Sequence, residues 1–136
     1  MSGPWISTAL RAAVQQRARH CCEYCLVPAG AVMWPHEPDH IIATQHGGKT
    51  ELQNLALACF HCNRLKGPNV ASVDPETGRI IPLFNPRLQQ WNEHFRPDGA
   101  FIVALSENGR ATVQLLRFNA PERILIRQVL QQSGRY

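Results

Sequence analysis

The chain has 136 residues, which is enough for one compact domain and excludes a large multidomain enzyme. Lys and Arg number 14 against 10 Asp and Glu, and the formal charge of +4 favours an anionic partner. Apolar residues make up 44% of the chain and charged residues 18%, a composition that excludes intrinsic disorder. No apolar run approaches the ~20 residues of a membrane span, and residues 1–10 lack an export-signal pattern. We therefore expect a cytoplasmic protein with no membrane partner.

The first predicted element is a helix over residues 7–19. Leu10, Val14 and Ala18 fall on one stripe of that segment, while its arginines lie mainly elsewhere. This spacing predicts an amphipathic helix that packs on the core and leads the chain into the first cysteines.

Four of the five cysteines form two C-x-x-C pairs, Cys22 with Cys25 and Cys59 with Cys62. An odd cysteine count without an export signal argues against a secreted disulfide framework, whereas paired spacing of this kind is typical of a tetrahedral Zn²⁺ site. A redox C-x-x-C is the alternative, and Cys21 could replace Cys22 by a slip of one residue. The two pairs predict a structural zinc ion.

Between the cysteine pairs, Pro and Gly residues divide the chain into short pieces. We predict extended segments at residues 31–34 and 39–42, and a loop at 45–50 where two glycines adjoin. The apolar run 55–58 has the character of a buried strand, and 63–66 reads as a short helix stopped by a Gly-Pro pair.

After the last cysteine, residues 74–78 carry a turn signal. Residues 99–106 and 110–118 are strand-like and flank the turn-forming tripeptide 107–109, which predicts a hairpin. A final helix is expected to begin near Pro121.

The segment that runs from the first cysteine pair to just beyond the second has a specific resemblance to a known family. It contains the pair Asp39-His40, a central Asn54, and Asn63 directly after the second cysteine pair. In this order, inside a zinc-site frame, the segment from Cys22 to Gly67 resembles the HNH endonuclease family. Asn63 stands at the third position, so the segment is similar to the H-N-N variant.

The resemblance implies a nuclease site with one catalytic metal ion. His40 would act as the general base, since a neutral imidazole can take a proton from water near pH 7. Asp39 and Asn63 would supply oxygen ligands to Mg²⁺ or Mn²⁺. Asn54 would orient His40 through backbone hydrogen bonds. Taken singly, each of these residues could instead cap a turn or a helix.

DNA is the partner that the resemblance implies. Lys49, Arg64 and Lys66 flank the expected metal and are predicted to contact phosphates, although each could instead be a solvated surface cation. His46 and His61 could also touch phosphate, but a loop position and a structural position, respectively, are the simpler interpretations.

Together these features predict a single α+β domain over residues 1–136. A ββα-metal nuclease core with structural zinc would occupy about 20–68, preceded by the N-terminal helix. An accessory region over about 69–136, resembling the tail of some small bacterial HNH proteins, would add a β-hairpin and a helix. The predicted activity is hydrolysis of DNA phosphodiester bonds. The alternative is a zinc-stabilised nucleic-acid-binding module without catalysis, and an RNase or phosphatase using the same site stays open.

Overall fold

The computed structural model describes residues 5–136. Its first helix, α1, spans Thr8–Arg17 and begins after Ser7, whose hydroxyl accepts a hydrogen bond from the Leu10 amide at 3.0 Å. A serine cap of this kind satisfies an amide that has no partner within the helix. The predicted N-terminal helix is confirmed.

A two-stranded hairpin and a helix form the centre of the molecule. Strand β1 (Glu37–His40) pairs antiparallel with β2 (Leu55–Ala58), and helix α2 (Phe60–Lys66) follows directly. The register places His40 opposite Leu55, at the end of the hairpin where the connecting loop leaves β1. The ββα arrangement predicted from the sequence is confirmed.

Two local boundaries differ from the predictions. Residues 31–34 form bends and no strand, and β1 begins two residues earlier than the extended segment expected at 39–42. Helix α2 begins at Phe60, because the Cys59 thiol caps it by accepting from the Cys62 amide. Asn63 therefore lies inside this helix, and the expectation that it opens the helix is wrong.

Strand β2 is buried on both faces, which explains its continuous apolar sequence. Leu55 and Leu57 form a small cluster with Val14 of α1, whereas Ala56 and Ala58 belong to the main core. This alternation is the period of two that a strand imposes on its side chains. The hairpin is thus held between the N-terminal helix and the rest of the molecule.

The second half adds two hairpins and three helices. These are β3 (Ala71–Val73), β4 (Ile80–Pro82), α3 (Trp91–His94), β5 (Phe95–Asp98), β6 (Phe101–Ala104), α4 (Glu107–Leu115) and α5 (Pro121–Gln132). The turn predicted at 74–78 joins β3 to β4, and α5 begins at Pro121 as expected.

The hairpin predicted around residues 107–109 is wrong. The strand β6 pairs with the preceding β5, and Glu107–Leu115 is a helix. Ser106 caps that helix by accepting from the Gly109 amide at 3.0 Å. Gly109 is needed for close packing, since a Cβ there would lie 2.3 Å from the His94 carbonyl oxygen. A serine three residues before a glycine is compatible with either a hairpin turn or the start of a helix. The packing of Gly109 against His94 favours the helix.

Side chains from both halves share one apolar core. Tyr24 and Ala56 from the first half contact the cluster that also holds Phe84, Phe95 and Leu116 from the second half. No helix within residues 5–136 is long and apolar enough to cross a membrane.

Candidate functional site

Each C-x-x-C pair is shaped by backbone hydrogen bonds to sulfur. The amides of Tyr24 and Cys25 both lie 3.4 Å from Cys22 Sγ, and the Cys62 amide lies 3.5 Å from Cys59 Sγ. Such bonds turn the sulfurs of each pair toward one side of a tight turn. The first pair follows α1, and the second joins β2 to α2.

The four sulfurs converge. Cys22, Cys25, Cys59 and Cys62 are buried, and their Sγ atoms all lie within 4.8 Å of one another, with 3.6 Å between those of Cys25 and Cys59. A tetrahedral zinc ion with Zn–S bonds of ~2.3 Å would hold its sulfurs about 3.8 Å apart. The four thiols therefore fit Zn²⁺, and the predicted convergence is confirmed. Cys21 lies outside the cluster, which settles the choice between it and Cys22.

Helix α5 supplies a positive charge to this cluster. The Arg123 guanidinium donates to Cys62 Sγ at 3.1 Å, to Cys59 Sγ at 3.7 Å and to the Leu116 carbonyl. Burial alone would lower the pKa of Arg123, but negative charge at Cys62 and its neighbours raises the pKa well above its ordinary value. The arginine thus stays charged and offsets part of the excess negative charge that four thiolates place around a divalent ion.

His40 lies at the loop end of the hairpin, where β1 ends. Its imidazole Nε2 is 2.9 Å from the Thr50 hydroxyl, and its carbonyl accepts from the Lys66 ammonium at 2.9 Å. The side chain is half-buried. Both the ring and the backbone of His40 are therefore fixed, while the residue stays partly accessible to solvent.

Asn54 locks the loop that follows His40. Its amide oxygen accepts from the Ile42 amide, and its amide nitrogen donates to the carbonyls of Ile42 and Lys49, each at 2.9 Å. Gly48 lets this loop close, because a Cβ at that position would lie 1.7 Å from the Ile42 carbonyl oxygen. Asn54 thus fastens the loop next to His40, and the role in orienting His40 that the resemblance implied stays a prediction.

Asp39 faces α2 from the middle of the hairpin. Asp39 as a whole is 6% exposed, and its Oδ2 contacts the Lys66 ammonium at 3.0 Å and the Tyr24 hydroxyl at 3.2 Å. Burial raises the pKa of Asp39, although the Lys66 charge acts in the opposite direction. Both contacts are made by Oδ2, which leaves Oδ1 as the oxygen that could bind a metal ion.

The face of α2 that meets Asp39 also carries Asn63. Asn63 precedes Lys66 by three residues, so the two side chains lie on neighbouring turns of the same helix face. Asn63 is half-buried and is the amide on this face that could supply a second oxygen ligand. A carboxylate and an amide of this kind are the donor types that hard ions such as Mg²⁺ or Mn²⁺ prefer, and the catalytic metal site expected at Asp39 and Asn63 stays a prediction.

The three cations predicted to contact DNA differ in position. Lys49 and Arg64 are exposed. Lys66 is only 2% exposed and binds Asp39 together with the carbonyls of His40 and Ile41. The expectation of a phosphate contact at Lys66 is therefore replaced by an internal role, in which its ammonium joins α2 to β1.

The remaining histidines of this segment take separate positions. His36 is buried, with Nε2 2.9 Å from the Val27 carbonyl oxygen, and His46 is exposed in the glycine loop. His61 lies half-buried near the start of α2, where burial and then the charge of Arg123 lower its pKa. None of the three lies in the zinc cluster.

Sequence reasoning missed three residues of the site: Thr50, Tyr24 and Arg123. Thr50 and Tyr24 contact residues that are 10 and 15 positions away, and Arg123 reaches Cys62 across 61 positions. No local spacing pattern marks such pairs. One available signal was the pair Arg123 and Arg127, which share a helix face with the buried Leu130.

A comparison with protein-family models agrees with this geometry. Residues 22–69, about a third of the chain, match the family model described as HNH endonuclease. Comparison with curated proteins and with solved structures gives no match. The matched segment holds the hairpin, α2 and all four converging cysteines. Residues 22–69 of this chain are thus an HNH domain, set in an α+β fold with a four-cysteine cluster that can bind zinc.

Proposed function

We propose that this protein is a metal-dependent endonuclease that hydrolyses DNA phosphodiester bonds. The observation that carries the proposal is the position of His40 within the HNH domain. Thr50 holds its ring, Lys66 holds its carbonyl, and Asn54 closes the loop beside it. An imidazole that is fixed in this way and partly accessible to solvent is suited to taking a proton from an attacking water.

The proposed mechanism uses the tautomer of His40 in which Nε2 donates to Thr50. If Nε2 carries the ring proton and donates to the Thr50 hydroxyl, the lone pair lies on Nδ1. Nδ1 then accepts the proton of the water that attacks phosphorus. Thr50 thereby acts as a positioning residue, which keeps the ring in one tautomer and one orientation.

Asp39 and Asn63 would hold the catalytic metal ion, with Oδ1 as the free carboxylate oxygen of Asp39. When bound, Mg²⁺ or Mn²⁺ would act as a Lewis acid toward the phosphate. Lys66 orients the Asp39 carboxylate from the opposite side through Oδ2. The buried ion pair therefore keeps this carboxylate in place on the hairpin.

Lys49 and Arg64 are the exposed cations that would meet the DNA backbone. Contacts of this kind supply affinity that falls with salt and carry no sequence information. The four-cysteine zinc site would act structurally, because it joins the start of the HNH domain to α2.

The test is cleavage of a supercoiled plasmid in the presence of Mg²⁺ or Mn²⁺. His40→Ala is expected to lower the rate by about 10²- to 10⁴-fold, the usual contribution of a general base. His46→Ala is the matched control, because it removes an exposed histidine from the adjoining loop and should leave most of the activity.

Zinc content and DNA binding are measured for both variants and should match the wild type. Equal cleavage by His40→Ala and wild type would contradict the catalytic assignment. Binding of DNA without cleavage by any form would favour the alternative of a nucleic-acid-binding module. RNA and a phosphomonoester as substrates separate the proposed activity from that of an RNase or a phosphatase.

A further inference from the structure

A cavity of about 390 Å³ opens beside the four-cysteine cluster, and Cys59 lines part of its wall. The segment 31–34, the start of α2 and helix α5 surround it. Apolar side chains form most of the wall, and Arg123 and Arg127 contribute the charged part. Sites for small organic ligands have volumes of ~300–1,000 Å³, so this cavity can hold one flat ring system.

An aromatic side chain stands at its mouth. Trp34 is 52% exposed and stacks on Phe60 of α2, with ring centroids 5.3 Å apart and planes inclined by 27°. Met33 beside it is 87% exposed. Phe60 fixes the indole, so Trp34 can offer a π-face to a second ring without first being ordered. Exposed aromatic faces of this kind bind unpaired nucleobases in proteins that hold single strands.

The charges around the cavity favour an anionic chain. The Arg64 guanidinium lies 5.9 Å from the centroid of Phe60 and is exposed, and His61 lies on the cavity wall. Burial and the charge of Arg123 lower the pKa of His61, and the carboxylate of Glu122, at the start of α5, acts in the opposite direction. Arginine beside a stacking ring suits a phosphate next to a bound base, whereas an apolar peptide would gain nothing from Arg64.

Helix α2 sets the distance to the proposed catalytic residue. It runs from Phe60 at the cavity to Lys66, which holds the His40 carbonyl. Its seven residues rise about 1.5 Å each, or about 10 Å in total. The cavity and the contact between Lys66 and the His40 carbonyl therefore lie at opposite ends of one short helix.

We propose that the cavity binds an unpaired base of single-stranded DNA, with Trp34 stacking on the base and Arg64 meeting its phosphate. This inference rests on the proposed function and adds a substrate preference to it. A base within a duplex cannot reach the cavity without leaving its stack. DNA with an unpaired stretch near the cleaved bond is therefore bound more tightly than a continuous duplex.

The test compares labelled oligonucleotides by fluorescence anisotropy, without added Mg²⁺ or Mn²⁺ so that no cleavage occurs. The probes are a single strand of mixed sequence and the duplex of that sequence. Trp34→Ala is expected to weaken binding of the single strand by about 5- to 150-fold, since stacking on one aromatic side chain contributes ~1–3 kcal/mol per base. Trp34→Phe retains a ring and should restore most of the affinity.

Trp5→Ala is the matched control, because Trp5 is 81% exposed and lies outside the cavity. It should bind both probes as the wild type does. Unchanged single-strand affinity in Trp34→Ala, or an equal loss for single strand and duplex, would overturn the base-binding cavity.

Plasmid cleavage by the same preparations tests the proposed function separately. If plasmid cleavage persists but Trp34→Ala leaves single-strand affinity unchanged, the base-binding role of the cavity is overturned and the nuclease assignment is not. Trp34-dependent binding in a protein that cleaves nothing would support the cavity and overturn the nuclease assignment.

Discussion

Replacing Arg123 by Met should weaken zinc binding. The side chain is buried, and it donates to Cys62 Sγ at 3.1 Å and to Cys59 Sγ at 3.7 Å. A hydrogen bond to a charged group contributes ~1.5–3 kcal/mol net, and the longer second contact adds less. At about 1.4 kcal/mol per tenfold, the loss corresponds to about 10- to 100-fold in zinc affinity, which is also the usual effect of removing a residue that holds a metal ligand.

The assay is competition for zinc with a chromogenic chelator at neutral pH. Arg127→Met is the matched control. Arg127 lies one turn further along α5, is 1% exposed, and donates to the carbonyls of Ala100 and Phe118 instead of to sulfur. Both variants should lower the melting temperature, but only Arg123→Met should lower zinc affinity beyond the loss of folding stability. Equal zinc affinities in the two variants would refute the reasoning, because the effect would then come from folding alone.

Two further outcomes follow from the contacts around the hairpin. Thr50→Val should lower the cleavage rate by about 10- to 100-fold and shift its pH profile, because the His40 ring loses its partner. Thr50→Ser should behave as the wild type in the same plasmid assay, and a Val variant with full activity would contradict the positioning role. Lys66→Met should reduce the free energy of unfolding by about 3–5 kcal/mol, since it leaves the Asp39 carboxylate buried without its cation. Urea denaturation measures this loss, and a variant with wild-type stability but weaker salt-dependent DNA binding would restore the surface role first predicted for Lys66.

Features set by neighbouring residues were predictable from the sequence. The two C-x-x-C pairs indicated a zinc site, and the apolar run Leu55–Ala58 indicated a buried strand. Pro121 marked the start of α5. In each case the signal lies within one turn or one strand, so spacing and residue type are sufficient.

Features that depend on distant contacts were not predictable. Residues 110–115 alternate between polar and apolar side chains, as a strand would, but the Ser106 cap and the packing of Gly109 on His94 make 107–115 a helix. From the sequence, Lys66 was predicted to be a surface cation. Its ion pair with Asp39 is formed only in the folded chain.

Helix α5 is another case in which the sequence did not predict which side chains are buried. Its Leu125 is 59% exposed, whereas Arg123 and Arg127 are buried among sulfur and carbonyl acceptors. If apolar residues alone decided the orientation of α5, the opposite face of the helix would point into the core. The zinc cluster and the unpaired carbonyls decide the orientation, because a buried guanidinium needs several acceptors and finds them only there.

The contact between α5 and the zinc cluster also bears on synthesis and on the use of fragments. Cys62 leaves the ribosome 61 residues before Arg123, so the nascent chain can gather its thiols around a metal ion while the compensating arginine is not yet made. Before α5 is synthesised, the cysteine cluster is exposed to water and the negative charge of its thiolates is not offset by Arg123. A polypeptide trimmed to the matched segment 22–69 would stay in that incomplete condition. The shortest fragment that keeps the contact between Arg123 and the cysteine cluster therefore extends through α5.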